Sequence, residues 1–169
     1  MNRFLKILAI AALLITVLGA GAVLYGVRML APQAVSVQVI ATPAAQAQDV
    51  FEETMDQLAR GTFAGTPFGQ ADGLTMQEAT FLTYTVRLKN RGFFPAEWIM
   101  LEVEPRNHDG SGYDVLQLAD TRGHVLPAGS EGDLNATILR AGEAGDTARK
   151  LRVVCYVFGQ RVEVAVQAQ

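Results

Sequence analysis

The sequence predicts a mainly β protein, a β-sandwich of about seven strands that follows an N-terminal transmembrane helix and one short amphipathic helix. One observation behind this prediction is a run of 21 residues without a charge between Lys6 and Arg28, since about 20 apolar residues span a bilayer core as a helix. The other is a series of short alternating apolar and polar segments separated by Gly and Pro, which is typical of a sandwich. These patterns divide the chain into an N-terminal anchor (1–28), a first strand with a linker, a short helix and a long loop (29–79), and the sandwich core (80–169).

The charges around the apolar run predict its orientation. Arg3 and Lys6 precede the run of residues 7–27, and only Arg28 follows it closely. The positive-inside rule therefore predicts a single-pass plasma-membrane protein with a cytoplasmic N-terminus and an extracellular C-terminal domain. The alternative is a signal peptide that is cleaved near Ala22, which would release a secreted protein. The uncleaved anchor is favoured because the apolar run continues beyond that site.

The net charge limits the classes of partner, and the cysteine content limits the disulfides that the chain can form. The chain after Arg28 contains 11 basic and 17 acidic residues, a net charge of −6. This balance argues against nucleic acid and against an anionic membrane surface as main partners. The single cysteine, Cys155, permits no internal disulfide. It lies in an apolar run, so we expect a buried and unreactive thiol.

The connecting part is predicted to contain one strand and one helix. Apolar and polar residues alternate over Ala34 to Ile40, which indicates a half-buried strand. Asp49 is a suitable N-cap for an amphipathic helix over residues 49–60. Residues 61–79 are rich in Gly, Thr and Ala and are predicted to form a long loop.

The remaining strands follow one another at short intervals. The segment Leu151 to Phe158 is apolar on both faces and is therefore expected to be a central strand. The next two residues, Gly159 and Gln160, are predicted to form a tight hairpin turn. The other predicted strands are Thr80 to Lys89, Trp98 to Glu104, Asp114 to Leu118, His124 to Leu126, Leu134 to Leu139, and a last one with Val162, Val164 and Val166.

A family resemblance begins at Val86-Arg-Leu-Lys-Asn-Arg-Gly92. A strand ending in Asn, a second strand, and Leu126-Pro-Ala-Gly129 before another strand resemble Ig-like domains of the FxLYD type. Those domains are similar in outline to the β-sandwich of late-embryogenesis and water-stress proteins, and in bacteria they often follow one N-terminal membrane helix. The resemblance covers residues 80–169, with Met100-Leu-Glu-Val103 where the naming motif would fall. It implies an Ig-like fold and a bacterial envelope protein, and it carries over no catalytic residue.

Two groups of residues are candidate sites. Phe93, Phe94 and Trp98 lie at one strand-to-strand turn and would form a partner-binding patch if exposed. We favour a buried cluster that closes one end of the sandwich. The second group, Asn107, Asp109, Ser111 and Asp114, has oxygen side chains at calcium-loop spacing, but Leu118 stands where a bidentate acid is required. A solvated turn is therefore the favoured interpretation of this group.

No catalytic, cofactor-binding or complete metal-binding motif accompanies these candidates. The two histidines, His108 and His124, do not have zinc-ligand spacing. We therefore expect a non-enzymatic Ig-like module that binds another envelope protein or serves a structural role, with its oligomeric state left open. The alternative is a small ligand-binding protein or enzyme with a site in the loops 61–79 and 105–114.

Overall fold

The computed structural model describes residues 3–29, 31–107, 112–119, 123–145 and 147–167. These residues form two α-helices, two short 3-10 helices and nine β-strands. The α-helices are α1 (Arg3–Met29) and α2 (Gln48–Ala59), and the 3-10 helices are Ala44–Gln46 and Met76–Glu78. The strands are β1 (Gln33–Pro43), β2 (Thr66–Pro67), β3 (Ala79–Lys89), β4 (Ala96–Val103), β5 (Gly112–Gln117), β6 (His124–Leu126), β7 (Glu131–Gly142), β8 (Lys150–Val157) and β9 (Gln160–Gln167).

The strands form two antiparallel sheets that face each other. One sheet has the order β1-β3-β7-β5-β2 and the other has the order β6-β4-β8-β9. The orders β1-β3-β7-β5 and β4-β8-β9 correspond to the A-B-E-D and C-F-G sheets of the immunoglobulin fold. The predicted mainly β, Ig-like sandwich is therefore confirmed. The short strand β2, which pairs with β5, lies inside the segment 61–79 that was predicted to be a loop.

Strand pairing defines two ends of the sandwich. Gln33, at the start of β1, pairs with Lys89 at the end of β3, and Ala96 at the start of β4 pairs with both Leu126 and Val157. The end that contains these residues is called the α1 end, because the chain enters β1 there from α1. Its loops are residues 90–95, 127–130 and 158–159. The opposite end is called the far end.

The main core fills the space between the sheets. The residues of β3 alternate as predicted, with Leu82, Tyr84, Val86 and Leu88 buried and Thr83, Thr85, Arg87 and Lys89 turned outward. The strand β8 lies between β4 and β9, so the predicted central position of this apolar segment is also confirmed. Burial of apolar side chains on the inner faces of both sheets holds the layers together.

Cys155 lies in this core and is fully buried. Burial raises the pKa of its thiol from 9.0 to about 11, because a thiolate is poorly solvated among apolar side chains. We expect maleimide at pH 8 to modify the native protein at least about a hundredfold more slowly than the denatured protein. Mass spectrometry of timed samples measures this ratio, and equal rates would contradict the burial of Cys155.

A second, smaller core lies under α2 on the outer face of the first sheet. Phe51 on α2 is buried against Phe81 of β3 and Leu139 of β7. The helix begins one residue earlier than predicted, and Asp49 is not its N-cap. Ala47 occupies the N-cap without a side-chain hydrogen bond, and Asp49 lies in the first turn, where its charge favours the helix dipole.

The C-terminus of α2 is a Schellman motif. Gly61 adopts a φ of 68°, and its N–H donates to the carbonyl of Leu58 at 3.1 Å. The N–H of Thr62 donates to the carbonyl of Gln57 at 2.9 Å. These bonds satisfy carbonyls that the helix leaves without internal donors. The chain is thereby directed into the 61–78 segment.

The strand β1 forms one edge of the first sheet. It pairs with β3 over its whole length, with a bulge between Ala34 and Ser36. The bulge leaves Val35 exposed and breaks the alternation that the sequence predicts. Before β1, Pro32 is buried and Ala31 packs against the main core. The helix α1 contains a span of 19 residues, Leu5–Val23, that is long and apolar enough to cross a membrane.

The outer face of the first sheet carries paired charges. Arg87 donates two hydrogen bonds to Asp133 at 2.8 and 2.9 Å, and Lys89 lies 2.7 Å from Glu131. Hydrogen bonds from these cations hold the pKa values of the Asp133 and Glu131 carboxyls below their usual range. Both pairs join β3 to its neighbour β7, which fixes where these charges lie at the α1 end.

Candidate functional site

Three exposed phenylalanines lie in loops at the α1 end. Phe93 is 81% exposed and Phe158 is 65% exposed, while Phe94 is partly exposed. The rings of Phe94 and Phe158 contact each other edge to face, with centroids 4.5 Å apart. The favoured prediction that Phe93 and Phe94 close the sandwich as a buried cluster is therefore wrong. Leu126, Ala96 and Val157 are the core residues at this end, and the three phenylalanines do not belong to that core. These three phenylalanines are called the aromatic rim.

Buried Asn90 holds the loop that presents the rim. Its side chain is 1% exposed, and its Nδ2 donates to the carbonyls of Phe94 at 2.9 Å and Leu126 at 3.0 Å. Its Oδ1 accepts a hydrogen bond from the N–H of Gly92 at 2.9 Å. The side chain thus satisfies polar groups on two loops. Two rings of the rim, Phe93 and Phe94, therefore lie on a loop that Asn90 holds in place.

The β8–β9 turn displays the third ring at an unfavourable backbone angle. The turn is formed by Phe158 and Gly159, one residue earlier than predicted, since Val157 pairs with Gln160. Their φ values are 56° and 72°, as a type I′ turn requires. Asn is the usual residue at the first of these positions, and a bulky side chain there costs about 1–2 kcal/mol. The stability of the hairpin therefore does not explain why Phe158 occupies this position.

Trp98 lies within β4, after the loop that carries Phe93 and Phe94. It sits in a bulge of β4 with a φ of 50°, and its ring lies over Gly123. It lines an open cleft of about 420 Å³ between β4 and the 64–66 segment. At this cleft Gln117 donates from its side chain to the carbonyl of Leu101 at 2.9 Å, across the two sheets. Trp98 is thus exposed like the two phenylalanines with which the sequence groups it, and the ring that contacts Phe94 is that of Phe158.

The candidate calcium loop lies only partly within the described residues. Asn107 is exposed, whereas Asp109 and Ser111 lie outside the described residues. Asp114 is buried, and its carboxylate accepts hydrogen bonds from Arg140, Arg149 and the N–H of Arg106. A carboxylate that is already bound by two guanidinium groups is not open to a calcium ion. Asp114 is therefore not the calcium ligand that the sequence suggested.

Asp114 is instead the centre of a buried charged cluster at the far end. Its side chain and that of Arg140 are fully buried, and that of Arg149 is 2% exposed. Arg149 donates to both carboxylate oxygens, at 3.3 and 3.2 Å, and Arg140 donates to one at 3.2 Å. Arg106 also donates from its guanidinium to the carbonyl of Ala148 at 2.8 Å. The cluster joins β5, β7 and the loops beside them, which is a structural role.

Sequence reasoning missed this cluster, although one signal was present. The inward positions of β7 follow a period of two through Leu134, Ala136 and Ile138, and the next one is Arg140. A charge on an inner face requires a partner of opposite sign. Tyr84 borders the cluster and donates to the carbonyl of Thr147 at 3.0 Å, and burial raises its pKa to about 12.

A hydrogen bond joins the two loops of the predicted alternative site. The hydroxyl of Tyr113 donates to the carbonyl of Gln70 at 3.2 Å. Within the part of the chain that the structure describes, no three His, Cys, Asp or Glu side chains are grouped as metal ligands. The cleft beside the 64–66 segment includes one carboxylate among its described lining residues, Glu102, which is exposed. The bond from Tyr113 to Gln70 and the pairing of β2 with β5 hold the 61–78 segment against the first sheet.

Comparisons with known proteins assign no family to this chain, so its function has to be inferred from its own structure. No protein-family model matches the sequence, and no curated protein matches it. Two features then stand out among the described residues: the aromatic rim at the α1 end and the buried cluster around Asp114 at the far end. The rim is the one that faces solvent, and it is therefore the candidate functional site.

Proposed function

We propose that the protein is a single-pass membrane protein of the bacterial envelope, with a cytoplasmic N-terminus and an extracytoplasmic Ig-like sandwich. In this proposal the sandwich is a non-enzymatic module that binds another envelope protein or serves a structural role. The observation that carries the proposal is the direct connection of a membrane-length apolar helix to the first strand of the sandwich. The proposed kinship with FxLYD-type domains is supported by the strand order.

Orientation and retention of α1 are supported by charge and composition. Arg3 and Lys6 flank the apolar run on its N-terminal side, which favours a cytoplasmic N-terminus. None of the window Leu5–Val23 is buried against the sandwich. A fully exposed apolar helix of this length is stable in a bilayer and unfavourable in water. Uncleaved, α1 would keep the sandwich at the membrane surface.

The non-enzymatic interpretation is supported by how the polar side chains are used. Asp114, the most buried carboxylate among the described residues, is bound to arginines. Cys155 is enclosed by apolar side chains, and burial favours its neutral thiol. Neither group is poised to act as a nucleophile or a general base.

Cysteine accessibility tests the topology, because the natural Cys155 is buried. Ser36 is exposed on β1, so Ser36→Cys reports on the sandwich and Asn2→Cys reports on the N-terminus. A membrane-impermeant maleimide added to intact cells is expected to label Ser36→Cys alone, and both variants after lysis. Labelling of Asn2→Cys alone in intact cells would reverse the proposed orientation. A labelled chain that has lost the segment ending at Ala22 and left the membrane fraction would establish the secreted alternative.

A ligand-binding protein is the second candidate function, favoured by the cleft beside Trp98. The ring is exposed and held at a left-handed φ over a cleft of about 420 Å³. Aromatic side chains beside such clefts often stack on ligands. Fluorescence of Trp98, the single tryptophan, would report a ligand in this cleft directly.

A further inference from the structure

We propose that the α1 end of the sandwich docks on the bilayer that α1 crosses, with the aromatic rim in the interfacial layer of the lipid. This inference rests on the proposed function, since it requires α1 to be retained in the membrane. The rim is then a second point of attachment, and the sandwich is held upright on the membrane surface.

The length of the connection restricts which face of the sandwich can meet the lipid. One residue separates Met29, the end of α1, from Ala31, which packs against the main core. Consecutive Cα atoms are 3.8 Å apart, so this point of the sandwich lies within about 8 Å of the helix end. The apolar run ends at residue 27. The α1 end is therefore the part of the sandwich next to the bilayer interface.

The rim lies at this same end. Phe93 and Phe94 follow Lys89, which pairs with Gln33 at the start of β1. Phe158 lies in the turn after Val157, which pairs with Ala96 at the same end. Three exposed apolar rings thus lie at the end of the sandwich where the chain approaches the lipid. Aromatic side chains favour the bilayer interface, and their transfer there would remove apolar area from water.

The charges around the rim suit an apolar attachment to lipid. Lys89 is paired with Glu131 at 2.7 Å, and Arg161 is paired with Glu163 at 3.0 Å. Arg91 is exposed beside Phe93. This balance of charge does not form a basic patch, so docking is expected to be independent of anionic lipid. Because α1 tethers the domain, its effective concentration at the surface is high and a modest affinity is sufficient.

Tryptophan reporters in the full-length chain test the docking. Trp98→Phe removes the natural fluorophore, and Phe93→Trp then places one in the rim. The matched control is Val50→Trp in the same background. Val50 is exposed on α2, which follows β1 where that strand reaches the far end of the sandwich. Both proteins are reconstituted in phosphatidylcholine vesicles with or without brominated acyl chains, and iodide serves as the aqueous quencher.

We expect the tryptophan at position 93 to be quenched by brominated lipid at least about twofold more strongly than the one at position 50, and to be protected from iodide. Adding Phe158→Ser is expected to reduce this difference, whereas Ile40→Ser, a change at an exposed position on β1, should preserve it. Replacing a quarter of the lipid with phosphatidylglycerol is expected to leave the quenching unchanged.

The outcomes separate the two proposals. A chain that does not float with the vesicles would refute the membrane anchor itself. A chain that floats, but whose tryptophans at positions 93 and 50 respond alike to both quenchers, would overturn the docking and leave the anchor standing. The rim would then be a surface for a protein partner. Docking that appears only with phosphatidylglycerol would also contradict the apolar attachment argued from the paired charges.

Discussion

Replacing Asp114 with Asn is expected to lower the free energy of unfolding by about 3–5 kcal/mol, because removing one partner of a buried ion pair leaves charge in a medium of low polarity. Both Arg140 and Arg149 donate to this carboxylate from buried positions. Asn keeps the shape of the side chain but removes its charge. Urea unfolding of the full-length chain in detergent micelles, followed by the far-ultraviolet circular dichroism of the strands, measures the loss.

Asp133→Asn is the matched control for this prediction. Asp133 also binds an arginine, Arg87, with two hydrogen bonds, but on the exposed face of β7. Exposed ion pairs contribute little to stability because water solvates the separated charges well. The urea midpoint of this variant should therefore stay close to that of the natural protein. Equal midpoints for the two variants would contradict the prediction, because they would mean that burial does not increase the contribution of the Asp114 ion pairs to stability.

The layered fold could be predicted from the sequence because its signals are local. The alternation in β3 and the two apolar faces of β8 follow from which side of a strand meets the core. The end of α2 at Gly61 is similarly local, since Gly readily adopts the left-handed conformation there. The start of α2 was misplaced because Asp49 has the right side chain for an N-cap. In the structure the N–H of Phe51 already donates to the carbonyl of Ala47 at 3.0 Å, so the helix begins before Asp49.

The sites could not be predicted to the same extent because they depend on distant contacts. Whether Phe93 is buried depends on what else fills the α1 end, and Leu126 and Val157 do so from other strands. The shift of one residue in the β8–β9 turn moves Phe158 from a strand into the rim. The fate of Asp114 depends on Arg140 and Arg149, which are 26 and 35 residues away in the chain. The local pattern of apolar and polar residues does not predict such pairings between distant parts of the chain.

If the rim docks on a bilayer as proposed, the two clusters at opposite ends have different relations to the membrane. Docking of the rim would turn the far end, with its cleft near Arg106 and Lys150, away from the lipid. The outer faces of both sheets would stand roughly along the membrane normal and remain open to other envelope proteins. A rigid link between rim and core is necessary for this orientation, and the side chain of Asn90 provides that link.

Asn90→Ala is expected to lower the free energy of unfolding by about 2–4 kcal/mol, since it removes three hydrogen bonds and leaves buried backbone groups without partners. The exposed Asn135, which accepts a hydrogen bond from Thr85 at 2.7 Å, is the control, and Asn135→Ala should change stability by no more than about 0.5 kcal/mol. Urea unfolding in micelles measures both. The same change should weaken quenching of a tryptophan at position 93 by brominated lipid, because the loop no longer holds that side chain outward. If Asn90→Ala matched Asn135→Ala in both measurements, backbone pairing rather than Asn90 would be what fixes the loop, and the rim would need no scaffold to meet the membrane.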